Sequence, residues 1–351
     1  MTWRRGGRGL ALAGVAGVAM APLVLPPYLL TVASIIFIAA LLAASVNLLA
    51  GLVGLVSMGH AGIAAAAAYG IAWSALRDWP LAGQLLLAML VAALVSLVYA
   101  AMTMRTSGIV FLMITLALGV TVFGLALKAS SITGGQNGLT GIRRPALIED
   151  AGSFFLLAAA ACGLGLAAVR VLGRSPFGLT LKGIRESPSR MSSLGYRVSA
   201  AKFLAIVLSG LLAGCAGILV IWQSEFISPS AASFSRSAFA VVMVIVGGTG
   251  TVLGPIVGAA LVVGIEQWLS SYVERWPTVL GIVLVSVVLF APRGIVGSIS
   301  NLIDTRAARS RRAGRSTGGS IHGPERTSIH EVAGMDGALE APQQHRKEDG
   351  P

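Results

Sequence analysis

The sequence predicts an all-α, polytopic integral membrane protein, a helical bundle in which glycines break some helices or make them re-entrant. Of its 351 residues, 55% are hydrophobic and only 11% are charged, whereas soluble domains carry about 25% charged residues. Apolar stretches long enough to cross about 30 Å of hydrocarbon, about 20 residues each, recur up to residue 300. These runs are continuous and do not alternate in polarity, which argues against a membrane β-barrel.

The charge pattern and the cysteines narrow the class further. The net charge is +12, but most basic residues lie in short loops between apolar runs, where orientation signals are found. We therefore expect no nucleic-acid partner. Cys162 and Cys215 both lie inside apolar runs, where a thiol behaves as a small hydrophobic group. They predict neither a disulfide framework nor a metal site.

The apolar runs divide the chain into three parts. Residues 1–28 form a basic N-terminal segment with the first membrane helix, 29–300 the membrane domain, and 301–351 a disordered cytoplasmic tail rich in Ser, Gly, Arg, Glu and Gln. Pro22 directly follows a signal-peptide-like Ala-Met-Ala sequence and disfavours cleavage there. The predicted apolar segments are 9–25, 29–50, 60–76, 81–103, 107–128, 152–173, 203–222, 238–269 and 277–291.

Counting positive charges orients the predicted segments. Arg4, Arg5 and Arg8 hold the N-terminus in the cytoplasm, which places the basic loop 174–202 inside as well. If 238–269 were one crossing, the Arg-rich tail would lie outside. The motif GGTGTVLGP at 247–255 therefore predicts a broken or re-entrant helix. With this break both termini are cytoplasmic, position 274 faces outside and position 293 faces inside.

Motifs for chemistry are missing from the sequence. The membrane part contains no HExxH, GxSxG or CxxC motif, and the chain has no G-x-x-x-x-G-K-[ST]. We predict that the protein is not an enzyme and that any ATP is bound by another chain. Only His60, and Glu266 near a span end, could relay protons inside the membrane. A proton-driven carrier is therefore a minor hypothesis.

Three glycine-rich stretches suggest where function lies. GLVGLVSMGHAG at 51–62 and the break at 247–255 are paired interruptions, and such pairs often mark half-helices beside a solute path. Close helix packing through small residues is the alternative explanation. The external loop SSITGGQNGLTGI at 130–142 suits a solute gate, contact with a delivery protein, or an ordinary turn.

A short capped helix is predicted inside the basic loop. Ser187 fits an N-cap, Pro188 the first helical position, and Gly195 the position just past the end. The resulting helix, PSRMSSL, has about seven residues and is too short to be stable alone. It must dock against its own bundle or a second protein, unless the loop is only an orientation signal.

Four motifs in order resemble those of the membrane permeases of bacterial ABC importers for branched-chain amino acids. They are NLLAGLVGLVSMGHAGIAAAAAYG, TGGQNGLTGI, IVGGTGTVLGPIVGA and LFAPRGIVG, and the resemblance covers about residues 30–297. It implies a permease subunit that moves Leu, Ile or Val across the cytoplasmic membrane and has no cofactor of its own. The implied partners are ABC ATPase subunits that bind ATP, a second homologous permease, an extracytoplasmic solute-binding protein and the lipid bilayer.

The resemblance and the paired interruptions together give two sets of candidate site residues. The predicted translocation path consists of Ser57, Gly59, His60, Thr133, Gly134, Gly135, Gly138, Gly247, Gly248 and Gly250. The predicted ATPase-docking set consists of Arg185, Glu186, Ser187, Pro188, Ser193, Leu194 and Gly195. The chain departs from the family at Arg190 and Met191, where a pair of alanines is common. Alternatives are a permease for urea, amides or other small neutral or aromatic solutes, a carrier or channel without an ATPase, and a scaffold.

Overall fold

The computed structural model describes residues 17–270, 272, 276–290 and 294–298, all within one compact unit, Met1–Asp304. We label its principal helices α1 to α11. They are α1 Pro27–Leu48, α2 His60–Ala75, α3 Leu81–Thr103, α4 Gly108–Lys128, α5 Ala151–Arg174, α6 Pro176–Glu186, α7 Pro188–Ser193, α8 Val198–Ser224, α9 Phe234–Gly247, α10 Gly254–Leu269 and α11 Trp276–Phe290.

The predicted all-α membrane fold is confirmed, and the helix boundaries agree with the predicted segments to within a few residues. Five helices are long and apolar enough to cross a membrane: Pro27–Val53, Leu81–Thr103, Gly108–Lys128, Ala151–Arg174 and Val198–Ser224. Of the predicted first span, residues 17–24 are described and are helical. The predicted tail and positions 274 and 293 lie outside the described residues.

The first glycine-rich stretch interrupts a helix, as predicted. α1 continues into a π-helical segment, Leu49–Val53, which ends at Gly54 with φ 77°. Glycine is favoured there because a Cβ atom makes the left-handed conformation costly for other residues. Residues 54–59 contain no helix, and α2 begins at His60.

The second stretch reverses the chain, so residues 238–269 are not one crossing. A Cβ atom on Gly247 would lie 1.9 Å from the carbonyl oxygen of Gly254, and one on Gly258 would lie 1.8 Å from that of Met243. These contacts show that α9 and α10 form an antiparallel hairpin. With 14 and 16 residues, the helices are about 21 and 24 Å long. Each is shorter than the hydrocarbon thickness of about 30 Å.

Small residues allow α8 to pack closely on its neighbours. A Cβ atom on Gly217 would lie 1.9 Å from the Ala64 carbonyl oxygen on α2, and one on Gly214 would lie 2.5 Å from Ala92 on α3. Contact through glycine and alanine is the usual way in which membrane helices approach each other. Close helix packing therefore accounts for these two glycines of α8.

The two ends of the bundle differ in chemistry. At 27 residues, α8 is about 40 Å long and connects them. We call its first end, where residues 49–59, 174–197 and 247–254 lie, the basic end. At the opposite, ladder end, β1 Leu139–Thr140 pairs with β2 Phe226–Ile227 in an antiparallel ladder.

Candidate solute passage

A cavity of about 410 Å³ enters the bundle from the ladder end, between α1, α2, α8, α9 and α10. We call it the ladder-end cavity. Its deeper wall is apolar and includes Leu42, Ala64 and Met243, whereas Arg236 and Glu266 lie at its mouth. The volume is within the range of about 300–1,000 Å³ that is typical of small-molecule sites. A solute with a charged and an apolar part would match this lining.

The mouth holds two opposite charges that contact each other loosely. Nη1 of Arg236 on α9 lies 3.9 Å from Oε1 of Glu266 on α10, and their side chains are 61% and 26% exposed. Gln223, at the end of α8, also lines the cavity. Its Oε1 is buried and accepts no hydrogen bond from the described part of the chain. The mouth therefore offers a cation and an anion, and the buried Gln223 amide oxygen is not exposed to the cavity.

The two glycine-rich interruptions meet each other, and one buried side chain ties them together. Asn47 is 3% exposed. Its Nδ2 donates to the carbonyl oxygen of Thr251 (2.9 Å), and its Oδ1 accepts from the backbone N–H of Gly250 (2.8 Å). A Cβ atom on Gly51 would lie 2.7 Å from the Cα atom of Gly250. We call these four residues the Asn47 clasp.

The Asn47 clasp lies beside a second cavity, of about 600 Å³, at the basic end. This basic-end cavity is lined by Asn47, Gly51, Gly250 and Thr251, and by the basic side chains Arg170, Arg174, Lys182 and Arg185. Leu42, in the wall of the ladder-end cavity, precedes Asn47 by five residues on α1, about 7.5 Å along the helix axis. The clasp therefore lines the basic-end cavity, further along α1 than the residues that line the ladder-end cavity.

Arg185 connects the basic loop to the first interruption. Its Nη1 donates to the carbonyl oxygen of Gly51 at 2.6 Å, and a Cβ atom on Gly54 would lie 2.9 Å from its Cγ. The last carbonyl groups of a helix have no partner in the helix itself, so a guanidinium is a suitable donor. One residue of the predicted docking set thus caps the segment that carries the Asn47 clasp.

Arg185 is positioned by α6, a helix that sequence analysis did not predict. Ser175 caps it by accepting a hydrogen bond from the N–H of Gly178 (3.1 Å), and Pro176 is its first residue. Leu181 and Ile184 bury one of its faces in the bundle. The Ser-Pro signal at 175–176 is the same as that used for the predicted helix at Ser187, and it would have identified α6.

The predicted capped helix is present as α7, one residue shorter than expected because Leu194 is its C-cap. Ser187 accepts from the N–H of Arg190 at 3.4 Å, and Gly195 has φ 87°. The N–H of Tyr196 donates to the carbonyl oxygen of Met191 at 3.1 Å, the bond of a Schellman motif. Helix formation here is thus confirmed.

α7 packs on α6, and apolar side chains just after α7 are exposed. The Met191 sulfur would lie 2.8 Å from a Cβ atom on Gly183, so methionine at this position covers a glycine of α6. Leu194 and Tyr196 are 66% and 50% exposed. Glu186 and Ser193 of the docking set are exposed too. This surface, outside the bundle, has room for a partner.

His60 and its neighbours are packed inside the bundle. His60 is 2% exposed. Its Nδ1 lies 2.9 Å from Oγ of Ser57 and its Nε2 lies 2.6 Å from Oγ of Ser209, which itself donates to the carbonyl oxygen of Ser45. A Cβ atom on Gly59 would lie 2.4 Å from the Tyr99 ring. This network joins the start of α2 to α1 and α8.

The glycine-rich loop after α4 supports a wall of the ladder-end cavity. Oγ1 of Thr133 donates to the carbonyl oxygen of Ala126 at 2.6 Å, and it accepts from the N–H of Gly135 at 3.2 Å. Gly134 and Gly138 have φ 74° and 71°. A Cβ atom on Gly138 would lie 2.2 Å from the Ile227 carbonyl oxygen. The loop thus holds β2, and β2 lines the cavity.

Most of the predicted path residues do not line either of the two cavities. Gly250 lines the basic-end cavity, and none of the other nine lines either cavity. Gly247 and Gly248 shape the turn of the hairpin. Sequence analysis singled out Glu266 but missed Gln223 and Arg236. A charged residue on a short helix beside the break was the available signal for Arg236.

A bundle of membrane-spanning helices, with broken helices that meet beside a cavity, is typical of a membrane transport protein. Residues 28–291 match the family described as branched-chain amino acid transport system, permease component. The chain belongs to this family.

Three named permease proteins are similar in sequence to this chain. The chain is 28% identical over 299 residues to the high-affinity branched-chain amino acid transport system permease protein LivM of Salmonella typhimurium, covering 76% of this chain and 69% of the relative. The figures for LivM of Escherichia coli are the same. The autoinducer 2 import system permease protein LsrC of Klebsiella pneumoniae is 29% identical to this chain over a region that covers 46% of this chain and 48% of the relative.

Proposed function

We propose that this permease is a subunit of an ATP-driven importer that moves leucine, isoleucine and valine inward across the bacterial cytoplasmic membrane. The observation that carries the proposal is the ladder-end cavity, which combines an apolar wall with charged groups at its mouth. Membership of the family and the printed names of the two LivM relatives support the same substrates. The solute enters at the ladder end and leaves through the basic-end cavity.

Orientation follows from the charges of the basic end. Arg174, Lys182, Arg185 and Arg190 all lie there, and positively charged loops face the cytoplasm. The ladder end then faces outward, toward a solute-binding protein. A cysteine placed at position 274 should react with an impermeant thiol reagent from outside, and one at 296 should not. The reverse labelling pattern would contradict this orientation.

Energy would come from ATPase subunits that dock on α7 and on the exposed Leu194. Movement of α7 reaches the passage through α6, because Met191 packs on Gly183 and Arg185 holds the carbonyl oxygen of Gly51. Gly51 belongs to the Asn47 clasp. Docking and opening are thus joined by a short chain of contacts, and a second homologous permease would complete the assembly.

Two other functions stay open. A permease for urea, amides or sugar-like solutes would use the same fold, and relatives named for autoinducer 2 import match part of this chain. A carrier or channel without an ATPase would not need the exposed surface of α7. Uptake measured with and without the ATPase distinguishes such a carrier or channel from the importer, because only the importer should lose uptake when the ATPase is absent.

Uptake of radiolabelled leucine by cells that express the permease with its partners tests the proposal. Ala39 lines the ladder-end cavity, so Ala39→Phe should lower uptake at least tenfold by filling the space. The control Ala160→Phe changes an exposed alanine of α5 and should leave uptake unchanged. Normal uptake by Ala39→Phe, with the variant present in the membrane, would place the solute path elsewhere.

A further inference from the structure

The ion pair at the mouth of the ladder-end cavity is poorly suited to a purely structural role. Arg236 and Glu266 approach only to 3.9 Å, and the arginine side chain is 61% exposed. Exposed pairs of this kind contribute little to stability. The hairpin that carries them is already held at its turn by close glycine contacts, such as that of Gly258 with Met243. Arg236 and Glu266 are therefore available to bind a ligand.

The arrangement of the mouth matches the two charges of an amino acid. We infer that Arg236 binds the carboxylate and Glu266 the ammonium group of a zwitterionic α-amino acid whose apolar side chain enters the ladder-end cavity. A guanidinium can donate two parallel hydrogen bonds to a carboxylate, and a carboxylate accepts well from an ammonium. This inference rests on the proposed function and specifies its substrate class.

Gln223 also lines the cavity, and its amide oxygen lacks a hydrogen-bond partner in the described residues. This Oε1 atom is buried, and such orphaned acceptors are rare and costly. The backbone around it is held firmly, since Nη2 of Arg144 donates to the Gln223 carbonyl oxygen at 3.1 Å. An ammonium group has three donors, so an ammonium bound to Glu266 would keep a donor for Gln223 once the Gln223 side chain turns toward the cavity.

The apolar part of the cavity would hold the aliphatic side chain of the ligand. Leu42, Phe239 and Met243 lie deeper than the charged mouth and come from two helices. An aliphatic side chain placed among them is removed from water, which favours binding in proportion to its apolar area. Urea or a sugar carries no opposite pair of charges and no aliphatic chain, so it would leave both features unused.

Binding of radiolabelled L-leucine to the permease with its partner subunits in lipid nanodiscs tests the inference, without the solute-binding protein. The competitors are L-leucinamide, which lacks the carboxylate, and 4-methylpentanoate, which lacks the ammonium. In the unmodified protein each should bind at least tenfold more weakly than leucine, a difference of about 1.4 kcal/mol. In Arg236→Gln leucine should bind no better than leucinamide, and in Glu266→Gln no better than 4-methylpentanoate.

The control is Arg143→Gln, which removes an exposed arginine near the ladder end that does not line the cavity. It should keep the preference for leucine. The inference is overturned if both mouth variants also keep that preference, even when all affinities fall together, because the ion pair then only holds the helices. It is also overturned if the unmodified protein does not prefer leucine to both analogues. Absence of leucine uptake by the complete importer would instead refute the proposed function itself.

Discussion

Replacing Asn47 with alanine should loosen the point where the two broken helices meet. Two hydrogen bonds join the Asn47 side chain to the backbone of Gly250 and Thr251. Without it, the N–H of Gly250 and the carbonyl oxygen of Thr251 lose these bonds in a part-buried place beside the basic-end cavity. A hydrogen bond contributes about 0.5–1.5 kcal/mol net, so the loss of both should cost about 1–3 kcal/mol.

Hydrogen exchange measured by mass spectrometry on the nanodisc-embedded permease would detect this opening. The peptide that contains residues 247–254 should exchange faster, and the Gly250 amide should lose at least tenfold in protection, because tenfold corresponds to about 1.4 kcal/mol. Ser34→Ala is the matched control. Its buried hydroxyl donates only within α1, to the carbonyl oxygen of Leu30, so exchange at 247–254 should not change.

Unchanged exchange of this peptide in Asn47→Ala would refute the reasoning, since the clasp would then contribute nothing to holding the hairpin. The variant should also disturb leucine uptake, because the Asn47 clasp lines the basic-end cavity, through which we propose that the solute leaves. A variant that exchanges faster but transports normally would preserve the structural argument and place the transport barrier elsewhere.

Two further predictions concern docking and packing. Leu194→Asp should abolish co-purification of the ATPase while leaving the permease folded, because Leu194 is 66% exposed and a charge buried in an interface costs several kcal/mol. The control Leu147→Asp, at a residue that is 84% exposed, should leave both co-purification and folding unchanged. Retained ATPase binding would make the segment an orientation signal. Gly217→Ala should lower the free energy of unfolding by about 1–3 kcal/mol, since the added Cβ atom would clash with the backbone of Ala64. Gly163→Ala meets nothing within 4 Å, and equal stability of the two variants would contradict close packing.

Features with a local signal in the chain were predicted well. Run length and hydropathy located the membrane helices, and the cap, proline and glycine around Ser187 predicted α7 almost to the residue. The glycine and proline content at 247–255 predicted the reversal that became the hairpin of α9 and α10. These signals are local because each one acts on the backbone within a few residues. The unpredicted α6 carried the same Ser-Pro signal at its start.

The amino-acid sequence alone thus determined an all-α membrane bundle, its spans, its interruptions and the family it resembles. Only the tertiary structure decided that Asn47 reaches Gly250, 203 residues away, and that Gln223, Arg236 and Glu266 share one cavity mouth. The physical reason is distance along the chain. Hydropathy and capping depend on near neighbours, whereas the lining of a passage depends on which helices pack together and on the rotation of each about its axis.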